Sequence, residues 1–244
     1  MDFRGVTAVV GRPGTGKTTL AMRIAHERLA RGEAVLWISL NEDKDLFLEA
    51  SKGLGYDLAK AEFWEAVLTA PESFWPHLDE LALKLRPGLI VVDSVTPLIE
   101  GPEGRRYLFN TLYRTIKPLG SDVVLIAEAD GPSFVEYIAD NVIRMELELT
   151  EYAVPERRLC VVKARGMPGG YCKQFGIFGG AGLLTFDELK PPSRPHVEVK
   201  TGLAIEELLG GPLVGNTLIL GPPGSGKTRV ALRIAAAPPP RAIG

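Results

Sequence analysis

Short apolar runs alternate with amphipathic stretches over the first half of the chain. "VTAVVG" (6–11) is a β-branched run that leads straight into a glycine-rich turn. In "KTTLAMRIAHERLARG", Leu20, Ile24 and Leu29 recur at helical spacing near one face, and Gly32 supplies a stop. "AVLWISL" reads as the next strand and "EDKDLFLEASKGLG" as a helix closed by glycine. "FWEAVLTA" is expected to hold a short strand, and "FWPHLDELALKLRPG" a helix ended by Pro87 and Gly88. The unbroken apolar run of "LIVVDS" has the pattern of a strand buried on both faces. "RRYLFNTLYRTIKPLG" is predicted helical up to its proline, and "DVVLIAE" is another strand. This alternation predicts an α/β fold, with a mostly parallel, twisted sheet flanked by helices on both faces. Beyond it, "NVIRMELELT", "RRLCVVKARG" and "GLLTFD" follow one another with short turns, which predicts an antiparallel C-terminal extension of the sheet.

The pattern then changes. Residues 189–200, "LKPPSRPHVEVK", are proline-rich and read as a linker. After them, "GNTLILGPPGSGKTRVALRIA" aligns without gaps on the opening "GVTAVVGRPGTGKTTLAMRIA", with roughly a dozen of about twenty positions identical. The expected organisation is a domain over 1–188, the linker, and a truncated second copy over 201–244.

Composition narrows the classes. The chain has 244 residues, 45% hydrophobic and 24% charged, with a formal charge of −2. Such a balance exerts no general pull on nucleic acid or on an anionic membrane. No apolar run approaches the length of a membrane span. The two cysteines match no zinc spacing; Cys160, in "LCVV", reads as a buried strand residue and Cys172 as a loop thiol. Few cysteines and no secretory signal point to a reducing, cytoplasmic setting.

The candidate chemistry lies in G-x-x-x-x-G-K-T, "GRPGTGKT" at 11–18, placed between a strand and a helix. Glycines there let backbone N–H groups turn toward phosphates, and the helix N-terminus adds positive potential. Lys17 is positioned to reach β- and γ-phosphates and Thr18 to ligate Mg²⁺. Asp93, at the tip of "LIVVDS", is the acidic partner that holds the metal through water. The second loop repeats the signature with Gly221, Gly226, Lys227 and Thr228, but no acidic strand, catalytic carboxylate or sensor follows it. Weak phosphate binding is the most expected of it.

The loop, the strand ending "WISLNED", the "VVDS" strand and "VVKARG" together resemble the RecA superfamily, and within it the KaiC branch of clock ATPases and their relatives. The resemblance covers about 5–186 as one domain and 197–237 as the start of another. It implies a RecA-like P-loop NTPase fold, ATP and Mg²⁺ as ligands, and self-association into rings, commonly hexamers, with ATP between subunits. By position, Gly11, Gly14, Thr15, Gly16, Lys17, Thr18 and Thr19 form the phosphate cradle, Asp93 and Ser94 the second acidic motif, and Glu128 a γ-phosphate sensor. Lys163 and Arg165, two apart on a strand, fall on cations that reach the neighbouring subunit's γ-phosphate. One departure stands out. Where the family carries Glu-Glu, this chain has Asn41-Glu42, and an amide is a poor general base. With Glu42 as the remaining candidate base, slow hydrolysis and a regulatory switch are expected. The alternatives are a recombinase-like protein binding single-stranded DNA, for which Arg105 and Arg106 are the available loop cations, and an ATP-dependent interaction module without turnover.

Overall fold

The computed structural model describes residues 3–66, 71–151, 155–166, 168–187, 198–199, 204–209, 213–214 and 217–236. The chain divides into two units, Met1–Leu189 and Lys190–Gly244. In the first, the apolar runs form β1 (Val6–Gly11), β2 (Val35–Ser39), β3 (Glu62–Glu65), β4 (Leu89–Asp93), β5 (Asp122–Glu128) and β6 (Asn141–Leu149). These six are mutually parallel, so "NVIRMELELT", expected in the antiparallel extension, is instead the last parallel strand, because it pairs with β1. Strands β7 (Pro155–Ala164), β8 (Tyr171–Phe178) and β9 (Gly182–Thr185) continue the sheet antiparallel, giving the order β3-β2-β4-β5-β1-β6-β7-β8-β9.

Successive residues of the central strands serve opposite cores, because side chains alternate across a sheet. Trp37, Val91 and Val124 pack with Leu20 and Ile24 of α1 (Lys17–Ala30) and Phe47 of α2 (Lys44–Gly53). Ile38, Ile90 and Leu125 pack with Trp75 and Leu78 of α3 (Pro71–Leu85) and Leu108 of α4 (Pro102–Thr111). The strands are apolar throughout because both faces are covered. Buried Arg28 near the end of α1 donates to Asp122 Oδ2 (2.8 Å), Glu33 Oε2 (2.7 Å) and the Phe3 carbonyl (3.0 Å), which ties the helix to the start of β5.

Four expectations need correction. The helix after α4 does not stop at its proline: a π-helical turn, Leu112–Ile116, leads into α5 (Lys117–Leu119), which contains Pro118. A widened turn accommodates a residue that lacks an N–H, and the helix ends instead at Gly120, with φ 75°. The "YCKQFGIF" stretch, unassigned from the sequence, is β8; its burial comes through Phe175 and Ile177, which alternate with Gln174 and Gly176. Cys172 is accordingly not a loop thiol. It faces Cys160 across β7 and β8, and the two are joined in a disulfide. Cys160 lies in a strand as expected but is only half-buried, and with the two cysteines paired the low cysteine count no longer supports a reducing setting. Residues 217–222 of the second unit, aligned with β1, form no strand and are mostly exposed. A lone strand without a pairing partner has no ladder to stabilise it.

In the rest of that unit, β10 (Glu198–Val199) pairs antiparallel with β11 (Leu213–Val214), and two helices follow the chain order, α7 (Ala204–Leu209) and α8 (Lys227–Ala235). Between β5 and β6 the first unit also has α6 (Phe134–Ile138). Apart from 198–199, the expected linker at 189–200 lies outside the described residues. No helix among the described residues is long and apolar enough to cross a membrane.

Candidate phosphate-binding site

Parallel strands bring their carboxyl ends to one edge of the sheet, where ligands of open α/β folds bind. Here β1 delivers the glycine loop, β2 delivers Ser39 and then Asn41 and Glu42, β4 delivers Asp93 and β5 delivers Glu128. Gly16 caps α1 with φ 99° and no side-chain cap bond, so the first-turn N–H groups of the helix are left to a ligand. A Cβ on Gly16 would stand 2.9 Å from Ile177 Cδ1, and one on Gly11 would stand 2.2 Å from the Met145 carbonyl oxygen. Gly11 therefore requires glycine for its close approach to backbone, and Gly16 for its left-handed backbone.

A cavity of about 410 Å³ opens over this edge, lined by Gly14, Gly16, Lys17, Thr18, Thr19, Asn41, Glu42, Asp93, Ser94 and Glu128, with Ser39 and Ile177. Thr18 Oγ1 donates to Asp93 Oδ2 at 2.8 Å, joining α1 to the tip of β4. Lys17 Nζ folds back onto the Arg12 carbonyl at 2.9 Å. Thr96 organises the far wall: its Oγ1 accepts from the Glu128 N–H (2.8 Å) and from Ser94 Oγ (3.1 Å). Ser39 Oγ accepts from the Glu42 N–H at 2.9 Å and fixes the turn after β2.

Burial dominates the electrostatics. It pushes the Asp93 carboxyl up to about 6, with Glu42 and Glu128 adding to the rise and the Thr18 bond and Lys17 opposing it. Burial also lowers Lys17, against the pull of Glu128 and Asp93. Glu42 is raised, by burial first and by Asp43 second. Three carboxylates around one ammonium leave an excess of negative charge, which suits a divalent cation. The donors fit magnesium: a hydroxyl and a carboxylate oxygen 2.8 Å apart are hard oxygens, and this ion keeps water and phosphate for its other positions.

The structure does not bring every expected residue into this cavity. Gly11 and Thr15 instead line a neighbouring cavity of about 240 Å³ with Arg12, Asp130 and Arg144, and Thr15 Oγ1 donates to the Arg12 carbonyl at 2.9 Å. Lys163 and Arg165 lie apart from both. Lys163 Nζ donates to the Ala139 carbonyl at 2.5 Å, and Arg165, just past the end of β7, donates to Asp140 Oδ1 at 2.7 Å. Both thus reach the segment between α6 and β6. In the second unit Gly226 caps α8 with φ 87°, and Lys227 Nζ folds back onto the carbonyls of Gly221 and Pro222, both at 2.7 Å. Among the described residues no carboxylate pairs with Lys227 or Thr228. Sequence reasoning passed over Ser39, Thr96 and Ile177. Thr96 and Ser39 are ordinary polar residues until the turns bring them round, and Ile177 belongs to the unassigned β8.

A family model described as the ATPase KaiC matches residues 3–173. Among curated proteins, a UPF0273 protein of Pyrobaculum aerophilum is 27% identical over 59% of this chain and 62% of its own length. The DNA repair protein RadA of Mycobacterium tuberculosis is 26% identical over 93% of this chain and 49% of its own. The circadian clock protein KaiC2 of Synechocystis is 31% identical over 40% of this chain and 19% of its own. The chain thus spans about three-fifths of the Pyrobaculum relative and about half of RadA.

Proposed function

The chain belongs to the KaiC ATPase family, and from that premise we propose that it binds ATP with magnesium in the 410 Å³ cavity and hydrolyses it slowly, as a nucleotide-controlled switch that self-associates. The observation that carries this reading is the Thr18–Asp93 bond of 2.8 Å in a cavity shared with Lys17, at the N-terminus of α1. Lys17 exchanges the Arg12 carbonyl for the β- and γ-phosphates, and the loop N–H groups orient the chain of phosphates. Thr18 and Asp93 hold the magnesium, which when bound draws charge from the γ-phosphate. Ser94 and Glu128, which line the cavity and are braced by Thr96, are assigned to the γ-phosphate.

Glu42 and Asn41 both line the cavity, and of the two only Glu42 can accept a proton from water. Lys163 and Arg165 do not line this cavity, and by the family resemblance their catalytic part is assigned to the neighbouring subunit's nucleotide in an assembly, where cations stabilise transition-state charge once their bonds to Ala139 and Asp140 are exchanged. The recombinase alternative draws little from the loop after β4. Both arginines expected there lie in α4 instead: Arg105 is committed to the Ile99 carbonyl at 3.1 Å and stacks 5.3 Å above Phe134, which leaves Arg106.

Phosphate release by the wild type, Asn41→Glu and Glu42→Gln tests the reading. Slow wild-type turnover, a rise in Asn41→Glu and a loss of about 10²-fold or more in Glu42→Gln are expected. Fast turnover that survives Glu42→Gln would remove Glu42 as the base. Retained ATP affinity without any turnover would select the interaction-module reading.

A further inference from the structure

The β7–β8 ladder runs from Arg157↔Phe175 to Val161↔Tyr171, and the disulfide between Cys160 and Cys172 lies one pair from its end. Past that end, Lys163 and Ala164 pair only with β6, beside a register shift, and Arg165 begins the turn. This tip is rich in glycine, with Gly166 and Gly170 both at φ 78°. Such a segment has much conformational freedom to lose when ordered. The disulfide closes it into a loop with a sequence separation of 12, restricting that freedom at its base. On the other side, β8 continues from Cys172 to Ile177, which lines the phosphate cavity and abuts Gly16. The disulfide therefore ties the base of the cation-bearing tip to the strand that carries Ile177. Cys172 is exposed, and Cys160 half-buried, so an external thiol has access to the Cys172 sulfur.

We propose that Cys160–Cys172 is a redox modification site opened by a dithiol, and that its oxidised form holds Lys163 and Arg165 in the geometry that turnover requires. The second half rests on the trans role given to those two cations above; the first half does not. In the exchange, a thiolate of the dithiol attacks Cys172 Sγ. The S–S bond breaks with its electron pair on Cys160 Sγ, which takes up a proton. The second thiol of the reductant then loses its proton and attacks the reductant sulfur of the mixed disulfide. That bond closes the reductant's own disulfide and releases the Cys172 thiolate, which is protonated in turn. Two electrons and two protons pass from the dithiol to the protein.

The test uses the whole chain purified without reductant. Alkylation before and after dithiothreitol is mapped by peptide mass, amide exchange is followed over 162–172, and phosphate release is measured in both states. The expected result is no alkylation before treatment and alkylation of both cysteines after it. Exchange in the tip should accelerate about tenfold or more and turnover should fall several-fold, both reversing on reoxidation. A Cys160→Ser/Cys172→Ser double variant should match the reduced protein and ignore dithiothreitol. Free thiols in the untreated chain, or exchange unchanged by reduction, overturn the site. Exchange that changes while turnover does not overturns the coupling to turnover. If Lys163→Ala then also leaves turnover intact, the trans role has failed and the redox site stands without it.

Discussion

Asp93 links the fold's electrostatics to its ligand more directly than any other residue. Its carboxyl ordinarily titrates near 3.8 and in the folded chain near 6, chiefly through burial. Below about pH 4 it is protonated in both folded and unfolded chains; between about 4 and 6 only the folded chain keeps the proton. Above about 6 it is ionised in both, and the folded state carries the full desolvation penalty, at most about 3 kcal/mol. Stability of the ligand-free protein should therefore fall as pH rises from about 4 to 6 and level off above that. A cation beside Asp93 favours the ionised form, so the gain in melting temperature from Mg-ATP should grow over the same interval. Asp93→Asn should stabilise the ligand-free chain at pH 8 and abolish the magnesium-dependent part of the gain. Thermal unfolding across pH 4–8, with and without Mg-ATP, checks all three; a ligand gain independent of pH would remove Asp93 from the metal. Gly16 gives a second outcome at this scale. Gly16→Ala imposes a left-handed backbone, φ 99°, on a residue with a Cβ and drives that Cβ against Ile177, so a loss of about 1–3 kcal/mol in stability and of most nucleotide affinity is expected, read by denaturant unfolding and ATP titration.

Elements transmit these positions, and the clearest joint between them is Arg28 of α1 with Asp122 at the start of β5. Both are buried, and removing Asp122 takes away one of the partners of Arg28 while Glu33 and the Phe3 carbonyl remain. Asp122→Ala should destabilise the fold by about 1–3 kcal/mol, whereas exposed Arg12–Asp130 should be worth about 0–1 kcal/mol in the same unfolding measurement. Legibility from sequence followed the same division between local and non-local causes. The central strands and α1 were readable because unbroken apolar runs and helical spacing are local signals, and the motif placed Lys17, Thr18 and Asp93 at the strand ends. β8 was not, because Lys173, Gln174 and Gly176 interrupt its apolar residues and its stability comes from β7 and β9 on either side. The passage of a helix through Pro118 depends on the π turn before it. Thr96 entered the site through turn geometry that no pattern of apolar positions encodes, and Ser39, at the end of β2, through the bond its hydroxyl accepts from Glu42. The cross-strand meeting of Cys160 and Cys172 likewise depends on the register of an unread strand.

At the scale of the whole molecule, the question is why one chain carries two phosphate loops. The two loops share their local geometry: each puts a left-handed glycine at the head of a helix and folds its lysine back on loop carbonyls. They differ in what surrounds them. Lys17 and Thr18 sit among Asp93, Glu42 and Glu128 at the ends of parallel strands, whereas residues 217–222 form no strand and Lys227, half-buried at the start of α8, folds onto loop carbonyls. A phosphate loop gains affinity from preorganised charge and from the metal's second ligand, and the helix N-terminus alone supplies only part of either. Turnover is accordingly assigned to the first unit alone. Lys17→Ala should abolish phosphate release, and Lys227→Ala should leave it within about twofold of wild type. A chain ending at Leu189, the boundary of the first unit, should keep both its cooperative unfolding and its turnover per subunit. Mass measurement of this shortened chain and of the full one, with and without Mg-ATP, then assigns assembly to a unit: association that persists in the shortened chain places it in the first unit with Lys163 and Arg165. A monomer under every condition would withdraw the trans role of those two residues and leave Glu42 to act with the cations of its own subunit.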